Sequence, residues 1–144
     1  MDSLILRKAQ LGDIRKVAPY LIEFKLDTED IVIEQFVVAE VGENMAGFGR
    51  IKSYSTFYEL ASVGVISDFR KNGVGEKLVK YLIETCPADE IWISTKIADY
   101  FRKFGFKEID TPPDELIQKT RRVCESVSGS IDDSCYMLLK KTCN

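Results

Sequence analysis

The sequence predicts an α/β domain built on a mixed, mostly antiparallel sheet of six or seven strands, with helices on both faces. Short runs of apolar and β-branched residues between turn residues indicate strands, and stretches with an apolar residue at every third or fourth position indicate helices. The clearest case is Glu59–Glu84, where a strand, a glycine turn and an amphipathic helix follow one another. This change of period within one stretch is typical of α/β folds.

The remaining elements follow in order along the chain. The predicted strands are Ser3–Lys8, Phe36–Val41, Met45–Tyr54, Tyr58–Ile66, Glu90–Thr95, Phe106–Ile109 and Cys135–Lys140. The first predicted helix is capped by Leu11-Gly12-Asp13, and the second begins at Val74. Two further predicted helices cover Ile97–Phe104 and Asp114–Cys124, and Ser126–Asp133 is predicted to be a loop. In the first helix, Ile14, Val17, Leu21 and Ile22 share a face, and Pro19 predicts a kink or a break into two short helices.

Length and composition indicate one soluble domain, residues 1–144. The hydrophobic fraction is 45%, the charged fraction is 30%, and the net charge of −3 argues against nucleic acid as a partner. We expect no membrane association, because no run approaches the roughly 18 apolar residues that a span needs. The first residues lack the basic and apolar segments of a secretion signal, so the expected location is cytoplasmic.

The cysteines do not suggest a metal site. The chain has four cysteines without CxxC spacing and no histidine. Cys124 and Cys135 could approach each other near the C-terminus, but buried free thiols are the preferred interpretation.

The glycine turn predicts an anion-binding site. The first N–H groups of a helix lack intrahelical partners and carry partial positive charge, and glycines allow a ligand to come close to them. Such a turn suits a phosphate or pyrophosphate. The residues of this predicted site are Arg70, Lys71, Asn72, Gly73, Val74, Gly75 and Glu76.

The pattern of the turn excludes two common nucleotide sites. A Walker loop needs Lys-Ser or Lys-Thr after its last glycine, and the dinucleotide pattern needs a third glycine where Leu78 stands. The remaining pattern, R-x-x-G-x-G after a V-x-V strand, resembles the pyrophosphate loop of the GCN5-related N-acetyltransferases (GNAT family). Glu59, eleven positions before Arg70, and Phe104-Gly105-Phe106 also stand where that family has such residues.

The resemblance implies an N-acetyltransferase that uses acetyl-coenzyme A as co-substrate. It implies that the backbone of Val63, Gly64 and Val65 pairs with the pantetheine amides, that the Val65 N–H polarises the thioester carbonyl, and that the fourth and fifth strands splay apart. A bulge at Gly64 would aim that N–H outward.

The resemblance also makes Glu59 the candidate general base. The alternation of a strand would put Glu59 on one face with Val63 and Val65. A surface or salt-bridged glutamate is the alternative.

The general acid is less clear from the sequence. Many family members have a tyrosine four residues before the glycine of their G-F dipeptide, and Phe101 stands there. Either the adjacent Tyr100 donates the proton or water does, and core packing of Tyr100 is the preferred interpretation.

The acceptor stays open at this stage. The G-F dipeptide followed by Pro113-Asp114-Glu115-Leu116 is loosely similar to the acetyltransferase domain of N-acetylglutamate synthases, which implies a small amine or amino acid as acceptor. Four basic residues could meet its carboxylate or could be surface charges: Arg50, Lys52, Arg121 and Arg122. The acidic stretch Asp27–Glu34 would suit a cationic acceptor or could be a solvated loop. A protein amino group, a non-catalytic coenzyme-A sensor and a homodimer are further possibilities.

Overall fold

The fold is taken from a computed structural model, which describes residues 3–127, 131 and 133–141. Its strands are β1 (Leu4–Lys8), β2 (Phe36–Val41), β3 (Asn44–Ser53), β4 (Tyr58–Val65), β5 (Glu90–Thr95), β6 (Lys107–Glu108) and β7 (Cys135–Lys140). Its α-helices are α1 (Leu11–Glu23), α2 (Val74–Thr85), α3 (Ala98–Arg102) and α4 (Asp114–Ser126), and two short 3₁₀ turns cover Ile33–Gln35 and Ser67–Phe69.

Within the described residues the strands form a seven-stranded sheet in the order β1-β2-β3-β4-β5-β7-β6. The pairs β1–β2, β2–β3, β5–β7 and β6–β7 are antiparallel, and β4 pairs with β5 in parallel, with Glu59 opposite Trp92. The predicted α/β class and the mostly antiparallel sheet are therefore confirmed.

The chain divides into two compact units, each with its own core. Unit 1 comprises residues 1–53 and 60–86, and unit 2 comprises residues 54–59 and 87–144. In unit 1, buried side chains of α1 pack with those of β2 and β3: Val17, Leu21, Phe36, Val38 and Phe48. In unit 2, one cluster of buried residues comprises Phe57, Trp92, Leu116 and Leu138.

Helix α1 differs from its prediction in two respects. It is one helix from Leu11 to Glu23 that includes Pro19, so of the two predicted alternatives the break is wrong, and the kink stays a prediction. Val17 and Leu21, on either side of the proline, are both buried in the core of unit 1, and this shared packing offsets the hydrogen bond that proline cannot make. Ile22 is 72% exposed and does not belong to the buried face.

The other boundaries shift by a few residues. Helix α3 is shorter than predicted, and the strand after it is reduced to two residues. Gly105, at φ +104°, lies between them as the expected left-handed residue.

Cys124 and Cys135 are free thiols, whereas Cys143 and part of the predicted 126–133 loop lie outside the described residues. Among the described residues no helix is long and apolar enough to cross a membrane. The same residues contain no group of three or more potential metal ligands.

Candidate active site

The glycine turn lies where the sequence predicts it, between the end of β4 and the start of α2. Helix α2 begins at Val74, as predicted, and Gly73 is its N-cap in the left-handed conformation, with φ +79°. Val74, Leu78 and Leu82 are buried and fix the helix against its unit. The buried stripe of α2 starts at its first residue, Val74, so core packing fixes the position of the helix N-terminus directly after the turn.

The turn has the space and charge that an anion needs. Arg70, Lys71, Asn72 and Gly73 are all exposed. A Cβ built on Gly73 would meet no heavy atom within 4 Å, so the space beside the first N–H groups of α2 is open. Glu76 in the first helical turn pairs with Lys80 at 3.3 Å, which offsets the negative charge it brings there. An anionic phosphate group therefore fits this turn.

Arg70 ties the turn to β4. Its Nε donates a hydrogen bond to the carbonyl oxygen of Val65 at 2.9 Å, and its guanidinium lies 4.9 Å from the centre of the Phe24 ring. Both contacts hold the Arg70 charge at the beginning of the turn.

The irregular residue of β4 is Ser62 rather than Gly64. Ser62 has φ +55°, and Gly64 is not in the left-handed region. Gly64 is required for close packing, because a Cβ there would lie 2.6 Å from Phe48 Cζ and 2.9 Å from Phe24 Cδ2. A left-handed residue interrupts the period of two, so strict alternation does not fix which side chains of β4 share a face with Glu59.

Glu59 is buried and fully engaged. It is 1% exposed, its Oε1 accepts a hydrogen bond from the Tyr54 hydroxyl at 2.7 Å, and its Oε2 lies 2.6 Å from Lys119 Nζ. Tyr54 is half-buried, and its ring stacks on Phe57 with centroids 4.2 Å apart. Glu59 is therefore not a surface residue, and it forms a salt bridge. Its role as a base stays a prediction. The ammonium compensates the carboxylate charge inside unit 2.

Tyr54 and Lys119 were not anticipated from the sequence. Lys119 follows Leu116 by three positions, and Leu116 and Thr120 are both buried on α4. A lysine within the buried stripe of an amphipathic helix is the signal that could have identified it, because a buried lysine needs an acidic partner.

Tyr100 and Phe101 occupy different environments on α3. Phe101 is 7% exposed and makes an edge contact with Phe106, with centroids 5.9 Å apart. Tyr100 is half-buried, with Lys103 Nζ 4.2 Å from its ring centre. The structure thus makes Phe101 a core residue and leaves Tyr100 partly accessible to solvent.

The sequence left open that three charged side chains are solvated, but the structure buries all three: Arg50, Lys52 and Asp27. Arg50 is 0% exposed, Lys52 is 3% exposed and Asp27 is 4% exposed. Asp27 Oδ2 lies 3.0 Å from a terminal nitrogen of Arg50 and 2.9 Å from Lys52 Nζ. The interpretation as surface charges is therefore wrong for these three residues. Arg121 and Arg122 are exposed on α4.

Comparison with known proteins identifies the class. Residues 33–108, more than half of the chain, match the family model of the acetyltransferase (GNAT) domain. The chain belongs to the GNAT acetyltransferase family.

Particular relatives are more distant. The chain is 28% identical over 95 residues to an uncharacterized N-acetyltransferase of Chlorobaculum tepidum, and the match covers 62% of this chain and 61% of that protein. The chain also resembles the N-acetylglutamate synthase of Neisseria gonorrhoeae complexed with coenzyme A and N-acetyl-glutamate, with a TM-score of 0.76 at 18% identity. That likeness covers 99% of this chain and 36% of the synthase.

A second solved structure is matched over nearly its whole length. It is a Mycobacterium tuberculosis protein in complex with CoA and NLQ, with a TM-score of 0.74 at 20% identity. The match covers 96% of this chain and 99% of that protein. At these identities both structural likenesses concern the fold.

Proposed function

We propose that this domain, residues 1–144, transfers the acetyl group of acetyl-coenzyme A to a primary amine by direct attack of the amine on the thioester. The observation that carries the proposal is the turn Arg70–Gly75, which is exposed from Arg70 to Gly73 and opens α2 with a left-handed glycine in a chain of the GNAT family. Coenzyme A in the complexes of two structural neighbours supports the choice of co-substrate.

The binding roles follow from the chemistry of each segment. The N–H groups at the start of α2 bind the pyrophosphate, with Lys71 and Arg70 supplying positive charge. The backbone of Val63, Gly64 and Val65 pairs with the pantetheine amides as a neighbouring strand would. The Val65 N–H donates to the thioester carbonyl oxygen and stabilises the negative charge that develops there.

In this proposal Glu59 is the base that removes the proton of the amine. An alkylammonium has a pKa of about 10, so the amine arrives protonated at neutral pH. Because Glu59 is buried and its Oε1 accepts the hydrogen bond of Tyr54, the proton passes through the Tyr54 hydroxyl. The phenol gives its proton to Glu59 as it takes the proton of the amine. Lys119 stabilises the ionised carboxylate before this step.

The neutral amine nitrogen attacks the thioester carbon, the C–N bond forms, and the C–S bond breaks with its electron pair on sulfur. The nitrogen then loses its second proton to water, and Tyr100 or water protonates the thiolate, so the products are the neutral amide and free coenzyme A.

For the acceptor we propose a small amine or amino acid. The N-acetyl-glutamate in the complex of the Neisseria gonorrhoeae neighbour supports an amino acid. Since Arg50 and Lys52 are buried, the exposed Arg121 and Arg122 are the better candidates to bind an acceptor carboxylate.

A second candidate function is a coenzyme-A-binding sensor without catalysis. It is favoured by the engagement of both Glu59 oxygens and by Phe101 at the usual tyrosine position. A sensor would keep the turn and its ligand and would need no base.

Thiol release from acetyl-coenzyme A tests the proposal. The protein is incubated with amino acids, polyamines and peptides, and acetylated products are identified by mass spectrometry. We expect turnover with one acceptor class. Acetyl-coenzyme A binding without turnover across the panel would favour the sensor, and absence of binding would contradict both candidates.

A further inference from the structure

A buried polar network in unit 1 surrounds the irregular residue of β4. The guanidinium of Arg50, which is 0% exposed, donates from Nε to Ser62 Oγ at 3.1 Å. Its terminal nitrogens donate to the carbonyl oxygens of Asp30 at 2.9 Å and Asp27 at 3.3 Å. Ser62 Oγ in turn donates to the Asp27 carbonyl oxygen at 3.2 Å. Every nitrogen of the guanidinium thus has a partner inside the protein.

The network leaves Arg50 no role in binding a ligand. Asp27 is held by Arg50, by Lys52 and through its Oδ1, which accepts the N–H of Glu29 at 2.8 Å. A buried ion pair of this kind adds little net stability compared with apolar packing, because both charges lose their hydration. Its better-attested use is to impose one particular conformation on the chain.

The conformation imposed here is that of Ser62. A serine at φ +55° is strained, by about 1–2 kcal/mol relative to its preferred backbone regions, and it persists only where the surroundings hold it. Its hydroxyl both accepts from Arg50 and donates to Asp27, so the side chain is fixed at each end. The φ angle of Ser62 sets the direction of the peptide groups that follow, which belong to Val63, Gly64 and Val65.

We infer that Arg50, Asp27 and Ser62 are positioning residues that hold β4 in the conformation in which its backbone donors meet the acetyl-coenzyme A thioester. This inference rests on the proposed function and names residues that act on the ligand only through the strand. It also couples the 25–30 segment to β4, because Arg50 binds carbonyl oxygens of that segment.

The test compares two changes at Ser62 with a surface control. Ser62→Ala removes both hydrogen bonds and keeps the preference for negative φ. Ser62→Gly also removes the hydroxyl but accepts φ +55° without strain. Ser53→Ala, at an exposed serine at the end of β3, is the matched control. Arg50→Lys is a second way to disrupt the network, because lysine keeps the positive charge but lacks the planar set of donors of the guanidinium.

Two readouts are measured on variants that circular dichroism shows to be folded. Calorimetry gives the Kd for acetyl-coenzyme A, and the carbonyl ¹³C resonance of bound [1-¹³C]acetyl-coenzyme A reports the polarisation of the thioester. We expect Ser62→Ala to weaken binding by about tenfold, the equivalent of about 1.4 kcal/mol, and to return the resonance toward its free position. Ser62→Gly should have a Kd and a carbonyl resonance close to those of the wild type, and Ser53→Ala should match the wild type.

The outcomes separate this inference from the function on which it rests. Failure of the wild type to bind acetyl-coenzyme A would contradict the proposed function and the inference with it. If the wild type binds acetyl-coenzyme A but Ser62→Ala and Arg50→Lys leave both the Kd and the carbonyl resonance unchanged, the inference alone is overturned. Equal losses in Ser62→Gly and Ser62→Ala would also overturn it, because the backbone angle would then not be the cause.

Discussion

Lys119 Nζ lies 2.6 Å from Glu59 Oε2, and the two side chains are 7% and 1% exposed. Sixty residues separate them in the sequence, and both belong to unit 2. Neither charge has access to bulk water, so each depends on the other for compensation. This pair therefore places two compensating charges in the interior of unit 2.

Removing the lysine should destabilise the protein strongly. Lys119→Met leaves the Glu59 carboxylate buried without its counter-charge, and we expect a loss of about 3–5 kcal/mol in the free energy of unfolding. Urea titration measures the loss, and Lys77→Met, at an exposed lysine of α2, is the control. Adding Glu59→Gln to Lys119→Met should recover part of the loss. A Lys119→Met protein as stable as the control would refute the dependence.

Glu59→Gln leaves the Lys119 ammonium buried without its counter-charge, so the variant is first shown by circular dichroism to be folded. The folded variant should keep acetyl-coenzyme A affinity and lower turnover. An amide cannot take the proton of the amine, and the deficit should be largest at neutral pH, where the amine arrives protonated. Rates with an identified acceptor are measured from pH 6 to 9, and Tyr54→Phe serves as a partner variant that keeps the ring on Phe57. If the amine proton passes through Tyr54, both variants should share the deficit. Equal rates in Glu59→Gln and the wild type across this range would remove Glu59 from the mechanism.

Gly64→Ala should destabilise unit 1. The new Cβ would lie 2.6 Å from Phe48 Cζ, and the rings behind it are packed, so we expect a cost of about 1–3 kcal/mol. Gly12→Ala in α1 is the opposite case, since nothing lies within 4 Å of its Cβ and alanine favours the helix by about 0.5–1 kcal/mol. Chemical denaturation of both variants compares them. Equal stability of the two variants would show that Gly64 is not needed for packing.

Asp13 should make stability depend on pH in the acid range. The hydrogen bonds from Arg7, at 2.7 and 3.0 Å, lower the pKa of Asp13 below its ordinary value. A lowered folded-state pKa contributes stability that is complete above about pH 4 and is lost as the pH falls through the folded value. Asp13→Asn should thus be less stable than the wild type by about 1 kcal/mol at pH 7.

This difference should narrow below about pH 4. The exposed Asp110→Asn change is the control. A difference between Asp13→Asn and the wild type that stays constant from pH 7 to pH 3 would contradict the assignment.

The sequence predicted those features of the fold that depend on local patterns. The start of α2 at Val74 and the strands Phe36–Val41, Glu90–Thr95 and Cys135–Lys140 were located correctly, because period and turn residues mark them. The break at Pro19 was wrong because packing on both sides of the proline outweighs its local preference. Ile22 was wrongly assigned to the buried face because it is adjacent to the buried Leu21, and the apolar pattern does not fix the edge of a helical face to within one residue.

The candidate site was less predictable, since its contacts join distant parts of the chain. Arg50 and Lys52 look like surface charges until Asp27, more than twenty positions earlier, is seen beside them. The left-handed backbone of Ser62 leaves no mark in the sequence, since serine is not a residue that usually adopts it. Only a lysine in a buried helical stripe, Lys119, gave a signal that could have been used.

The central claim is that the turn Arg70–Gly75 binds the pyrophosphate of acetyl-coenzyme A, and calorimetric titration of three proteins tests it most directly. Gly73→Ala adds a methyl group to open space, so it does not block the ligand. It strains the backbone at φ +79° by about 1–2 kcal/mol, so binding should be weaker than in the wild type but still measurable. Gly73→Asp adds bulk and negative charge where the pyrophosphate would lie, so binding should be lost. Wild-type affinity in a folded Gly73→Asp protein would contradict the account.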